Sequence, residues 1–377
     1  MGKIFTSLGL MSGTSGDGVD ASVINSDGID HYKEIHNNYF QFEQKIYENL
    51  HNLKGKILKL EDLKENDKEI YTLEKEITLF HAKIVKEILE TVDNNIDLIG
   101  FHGQTIFHNS LDKISKQLGD GKLLSQLSKK IIVCNFRKND ILNGGEGAPL
   151  TPLFHKLIVK KNKIDLPVCI LNIGGIANIT LVNDYYKDNF VSRDLGPGNC
   201  LIDEWVRNNT KKKFDNNGDI AKRGKINDMI LNQSLDNFEN KLNQKTSSFD
   251  TKDFSLGFVR GLDLDDGAAT VTEFTARIIG LELLDFLSQA KEKFDKVKVL
   301  VCGGGRKNLY LIERIKNIVP INLIFQNVDE LGIKGDYVES QAFAYLAIRS
   351  YLKLPISFPN TTGCKNPTIG GSIIKNF

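Results

Sequence analysis

Two rhythms of apolar and polar positions alternate along this chain. Residues 4–10 form an apolar run, residues 12–18 a small-residue turn and residues 19–24 a second apolar run. With Ser26-Asp27-Gly28 as another turn and residues 32–37 beyond it, the first 40 residues predict a meander of three strands. From 41 to 93 the spacing is helical, with Ile70, Leu73, Ile77, Phe80, Ile84 and Ile88 recurring every three or four residues. Residues 97–101, running into His102-Gly103-Gln104-Thr105, and residues 131–134 predict short buried strands. After Pro167 the pattern restarts as strand 168–173, turn Gly174-Gly175 and strand 176–182. Residues 204–260 are polar and predict helices or loops. Residues 270–289 predict an amphipathic helix with Val271, Phe274, Ile278 and Leu281 on one face. A buried strand at 297–302 then leads into Gly303-Gly304-Gly305. A final helix is expected over 336–352, with Asp336 and Glu339 as its capping box.

Composition narrows the classes. At 377 residues the chain has room for two buried cores. Lys and Arg number 49 against 48 Asp and Glu, so no charge imbalance favours nucleic acid or an anionic membrane as partner. Lysine clusters such as Lys160, Lys161, Lys163 and Lys211 to Lys213 are expected to be solvated. The five cysteines are scattered, with no CxxC pair, which fits a reducing compartment and argues against a disulfide framework or a zinc site. The longest uncharged stretch, residues 166–182, contains Asn172, Gly174, Gly175, Asn178 and Thr180 and is too polar to span a bilayer. A soluble protein is expected.

The loops carry the chemistry. Neither GxxxxGK[ST] nor a GxGxxG that follows a strand and opens a helix is present, so neither a P-loop enzyme nor a Rossmann dehydrogenase is expected. Instead, Gly13-Thr14-Ser15-Gly16-Asp17-Gly18-Val19-Asp20 lies between two strands. Its glycines permit φ > 0 and close approach of backbone amides to an anion, and its hydroxyls add donors. Asp17 or Asp20 can hold Mg²⁺ directly or through water. Gly, Asp and Ser also make ordinary hairpin turns, but a two-residue turn would suffice for that. Gly174-Gly175 and Gly303-Gly304-Gly305 repeat the strand-to-glycine arrangement, suggesting two phosphate loops and one adenosine loop.

Strand-turn-strand repeated in two α/β halves resembles the plan of actin, Hsp70 and the sugar kinases. The motifs resemble the anhydro-N-acetylmuramic acid kinase family more specifically. They are residues 9–20, His102-Gly103-Gln104-Thr105, Phe136-Arg137 with Asp140, residues 144–150, residues 172–178, Asp194-Leu195-Gly196-Pro197-Gly198-Asn199, Gly303-Gly304-Gly305, Asp336 with Glu339, and Thr362-Gly363.

The resemblance implies a two-domain actin-like ATPase (ribonuclease H-like) α/β fold with the active site in the interdomain cleft. Residues 1–145 with about 355–377 would form one domain and 146–354 the other. It implies ATP with Mg²⁺, a small sugar substrate, a cytoplasmic enzyme and a homodimer. Water would open the 1,6-anhydro bridge of 1,6-anhydro-N-acetylmuramic acid while O6 takes the γ-phosphate, a step in peptidoglycan recycling. Asp194 would be the base. Read from the residues alone, Asp194 opens a Gly-Pro-Gly turn, where it could serve as a base or as a turn cap. His102 could touch sugar or shape the cleft. Arg137 could pair with the lactyl carboxylate or an internal aspartate. Glu339 could approach the sugar or only cap its helix.

The chain departs from the family at Asn135, where Asp is usual before Phe-Arg, and at Glu146, where Gln is usual. Residues 246–250 also lack a Pro-Pro-Lys-Ser start. Another sugar kinase of this superfamily, an actin- or Hsp70-like ATPase, or a sugar sensor without catalysis are the competing readings.

Overall fold

The computed structural model describes residues 2–186, 190–242, 248–290 and 295–377. They form two compact units, residues 1–163 with 336–377, and residues 164–335.

The first unit is built on β1 (Phe5–Ser12), β2 (Gly18–Ser26), β3 (Tyr32–Gln41), β4 (Leu98–Asn109), β5 (Ile114–Leu118) and β6 (Ile131–Cys134). β1, β2 and β3 form an antiparallel meander, and β4 and β6 add to β1 in parallel. Alternation along each strand separates two faces. Leu8, Leu10, Val19, Ala21, Ile99 and Phe101 join a core with the helices Gln44–Lys56 and Asp67–Thr91. The opposite face carries the helix Val338–Tyr351, which lies so close that a Cβ on Gly9 would stand 1.9 Å from the Ser340 carbonyl oxygen and one on Gly100 2.3 Å from that of Phe343.

The second unit repeats the plan. β7 (Val168–Ile173), β8 (Ile176–Val182) and β9 (Phe190–Pro197) are an antiparallel meander. β10 (Val297–Cys302) and β11 (Leu323–Asn327) extend it in parallel from β7. The orders β3-β2-β1-β4-β6 and β9-β8-β7-β10-β11 are therefore equivalent. A last strand, β12 (Ser372–Ile374), closes the first sheet against β6. Two α/β units, each a three-strand meander extended by parallel strands, realise the actin-like plan expected from the sequence.

Several boundaries differ from expectation. The unit border falls after Lys163 and before Asp336, not at 145 and 355, because the helix Val338–Tyr351 packs on β1, β2 and β4. That helix starts at Val338 with Tyr337 as N-cap and no side-chain cap bond, so the Asp336–Glu339 capping box does not form. The helix expected over 270–289 runs from Leu264 to Ser288 and packs against three other helices and β9, while Leu281 is exposed. An unused sequence signal marks its start, for the Asp263 carboxylate accepts from Asp266 N–H. Among the described residues no helix is long and apolar enough to cross a membrane.

Candidate active site

In the first unit several carbonyls of the turn between β1 and β2 are held by hydrogen bonds. Gly16 N–H donates to Gly13 O at 3.1 Å, and Gln104 Nε2 donates to the same oxygen at 3.0 Å. Lys54 Nζ donates to Thr14 O at 2.6 Å, Phe42 N–H to Asp17 O at 2.9 Å, and Ser12 Oγ to Gly18 O at 2.9 Å. Only Gly16 of the three glycines adopts positive φ, at 67°. Gly18 is needed for space instead, since a Cβ would lie 2.3 Å from Phe40 O, and a Cβ on Gly13 would meet nothing within 4 Å. Thr14 is half-buried and Ser15 exposed, so both are available to a ligand. Val19 is not: its side chain is fully buried in the core, so it supports the loop and does not line it.

Asp20 pairs across β2–β3 with Tyr39. The Tyr39 hydroxyl is pushed up to about 12, by burial first and then by the charges of Asp17 and Asp20. Both carboxylates therefore act on one point. Among the described residues no three His, Cys, Asp or Glu side chains gather as a metal cage. Two carboxylates with nearby hydroxyls fit Mg²⁺, which completes its shell with phosphate oxygens and water.

His102, Arg137 and Asp140 form a second cluster. His102 Nδ1 lies 2.7 Å from Gly103 O, and a carbonyl can only accept, so Nδ1 carries the proton. Nε2 accepts from Arg137 Nη2 at 3.0 Å. Burial and then the Arg137 charge lower this histidine to about 3, so it is neutral and cannot shuttle protons near pH 7. Its part is to orient Arg137, whose Nη1 donates to Gly147 O at 2.7 Å. The buried Asp140 takes the other end of this loop, accepting from Gly147 N–H at 2.7 Å and Thr362 Oγ1 at 2.6 Å. Glu146 N–H donates to Thr362 O at 2.8 Å. The loop 144–150 is thus clasped at both edges of one residue. Asn135, the departure from the family pattern, has φ 56°, a conformation asparagine adopts more readily than most side chains. Glu339 is the second residue of its helix and half-buried.

The second unit brings its glycine loops together. Gly198 N–H donates to Gly175 O at 2.9 Å and Asn199 N–H to Gly174 O at 2.7 Å. Asn199 Nδ2 reaches Ile173 O at 3.3 Å, and a Cβ on Gly305 would lie 2.3 Å from the Ile173 side chain and 3.1 Å from Asn199 Oδ1. Gly303 has φ 75°, and a Cβ there would stand 2.4 Å from Asn172 Oδ1. Buried Arg306 fixes this third loop, bonding Gly303 O at 3.0 Å and Asp329 at 2.9 Å. Asp194 does not open a turn. It lies within β9, buried, with Oδ2 accepting from Phe249 N–H at 3.0 Å.

Residues 5–376 match the family model described as anhydro-N-acetylmuramic acid kinase. The chain belongs to the anhydro-N-acetylmuramic acid kinase family. The anhydro-N-acetylmuramic acid kinase of Pelagibacter ubique (strain HTCC1062) is 55% identical over the full length of both chains. That of Zymomonas mobilis subsp. mobilis (strain ATCC 31821 / ZM4 / CP4) is 36% identical, with 97% of this chain and 98% of the relative covered. Among solved structures, the Acidaminococcus fermentans (R)-2-hydroxyglutaryl-CoA dehydratase component A is 12% identical with a TM-score of 0.45, covering 92% of this chain and 99% of that one. At that score the likeness carries no inference.

Three features of this anhydro-N-acetylmuramic acid kinase family chain were not singled out from the sequence as parts of the site. Asn199 ties two glycine loops together, Thr362 braces Asp140, and the Phe249 amide holds Asp194. The first two lie inside motifs that carry the resemblance. The Phe249 contact falls just after Thr246 and Ser247, which lie outside the described residues.

Proposed function

We propose that this chain uses Asp194 as the base for an ATP-dependent, hydrolytic phosphorylation of 1,6-anhydro-N-acetylmuramic acid. A water attacks C1 and gives one proton to Asp194. The C1–O6 bond breaks, and O6 takes the γ-phosphoryl group as its bond to ADP breaks. The products are N-acetylmuramic acid 6-phosphate and ADP.

Gly13 to Ser15 and Gly16 to Gly18 would receive phosphate in the first unit, with Gly174, Gly175, Gly303, Gly304 and Gly305 serving nucleotide in the second. Asp17 and Asp20 would hold Mg²⁺, which neutralises developing phosphate charge when bound. Arg137, fixed by neutral His102, and Glu339 would meet the sugar. The unbridged cysteines suit a reducing compartment, the cytoplasm. A homodimer is the family expectation and is tested by sedimentation.

The observation that carries this reading is the buried Asp194 carboxylate, aimed by the Phe249 amide, in a chain of this family. In ¹⁸O-labelled water the heavy atom should appear at C1 of the product, read by mass spectrometry before the reducing end exchanges. Label in the new phosphate would refute the mechanism.

A further inference from the structure

The base has a neighbour that the motif does not explain. Across β8 and β9 Asn178 stands opposite Asp194, and across β7 and β8 it stands opposite Asn172. Directly opposed residues of an antiparallel pair share a face, with Cβ atoms about 4.5–5.5 Å apart. Asn172, Asn178 and Asp194 therefore form one polar rung. It lies on the face opposite the core that holds Ile173, Ala177, Ile179 and Leu195.

A bulge marks this point in the sheet. Asn178 pairs with Asp194 and Ala177 with Gly196, so Leu195 is the extra residue of β9. Alternation alone sends Leu195 to the core and keeps Asp194 on the polar face, and the bulge shifts the register of Gly196 and Pro197 directly beyond them.

The other polar groups on this face have partners. Thr180 Oγ1 bonds Ser192 Oγ at 3.4 Å, Ser192 Oγ donates to Ile179 O at 2.6 Å, and Asn172 Oδ1 accepts from Cys302 Sγ at 3.6 Å. Asn178 Oδ1 differs: it is buried, and among the described residues nothing donates to it. A buried amide oxygen left unpaired costs about 1–3 kcal/mol, so stability gives no reason to keep it. A ligand hydroxyl or water does.

We infer that Asn178 is a further catalytic residue, whose carboxamide oxygen accepts the second hydrogen of the water that Asp194 deprotonates. The inference rests on the role proposed for Asp194. Held by two acceptors, the water has both hydrogens turned away and a lone pair directed at C1. One proton passes to Asp194. The other stays on the new C1 hydroxyl, still bonded to Asn178 Oδ1, as C1–O6 breaks and O6 takes the phosphoryl group from ATP.

The test compares Asn178→Ala, Asn178→Asp and Asp194→Asn by sugar-dependent ADP release across pH, with melting temperatures alongside. Asn178→Ala should lower kcat about thirtyfold, the scale of one lost hydrogen bond to the reacting water, while leaving KM for ATP within twofold. Asn178→Asp keeps an acceptor but sets a second carboxylate against Asp194. It should retain more activity than the alanine variant and move the acid limb of kcat/KM upward by about one pH unit or more. An Asn178→Ala enzyme within threefold of normal would overturn the inference. So would an unshifted Asn178→Asp profile, or activity losses that merely follow lost melting temperature. Near-normal turnover in Asp194→Asn would instead remove the proposed base, and the inference with it.

Discussion

Lowering the pH from 7.5 to 5 should weaken the unit formed by residues 1–163 and 336–377 while sparing the other. All seven histidines fall within the first unit, and residues 164–335 contain none. Burial holds His81 at about 4 and His155 at about 3, and burial with Arg137 holds His102 at about 3. Their unfolded value is about 6.5, so the folded values are depressed. Between pH 6.5 and about 4 the unfolded chain takes up protons that the folded chain refuses. Stability from these groups is therefore complete above 6.5 and lost as pH falls. Each contributes a slope of about 1.4 kcal/mol per pH unit, so three give about 4 kcal/mol per unit and about 6 kcal/mol by pH 5. A domain's total stability is about 5–15 kcal/mol. The single tryptophan, Trp205, lies in the second unit and reports on it by fluorescence, while circular dichroism follows both units. In urea at pH 5, an early transition should appear by dichroism while the Trp205 midpoint stays close to its pH 7.5 value. His81→Phe, placed among Phe42, Phe80 and Phe101, should reduce the pH slope by about one-third. Coincident transitions at both pH values, or an unchanged slope in that variant, would refute the reasoning.

Three further outcomes are expected. Asp140→Ala removes the acceptor for Gly147 N–H and Thr362 Oγ1, costing about 3 kcal/mol or more; at about 2–4 °C per kcal/mol its unit should melt about 6–12 °C lower. Asp140→Asn, whose amide can accept from Gly147 and donate to Thr362, should recover most of that, and equal melting of the two variants would contradict the clasp. Asp17→Asn and Asp20→Asn should each lower ATP turnover at least about tenfold, on the order of 1.4 kcal/mol in the barrier, and raise the Mg²⁺ needed for half-maximal rate; full activity in excess chelator would exclude this metal site. Asp194→Asn should bind nucleotide normally by calorimetry yet turn over on the order of a hundredfold more slowly, and near-normal turnover would exclude the base.

β1, β2, β7 and β8 were legible because their apolar runs are bounded by turns rich in glycine, as at Leu8 to Gly18 and Leu171 to Ala177. β9 was not, because Phe190–Pro197 carries Ser192, Arg193 and Asp194 and ends in Gly196-Pro197. Arg193 is accommodated by Glu282 and Asp285 of a helix that only the fold supplies. β4 was cut short at Phe101 because Gly103 suggests a turn; its φ of 75° and register shift bend the strand, which continues to Asn109. The allegiance of the last helix had a signal in Gly9 and Gly100, small residues in strands that demand a close neighbour. Which helix would answer could not be seen. Likewise, motif residues such as Asp194 were visible, whereas the Phe249 amide is a backbone group and leaves no trace in residue identity.

The split composition of the first unit bears on synthesis. Residues 164–335 are continuous and can fold as they emerge, whereas the sheet face bearing Gly9 and Gly100 waits for the helix Val338–Tyr351. At about 5–20 residues per second, roughly 10–40 s pass between completion of residue 163 and of that helix on the ribosome. During that interval an apolar sheet has no lid of its own, and a nascent chain halted before Asp336 leaves it permanently bare. Chaperone capture at this stage, and rapid clearance of prematurely terminated chains, are what such an interrupted layout asks of the cell.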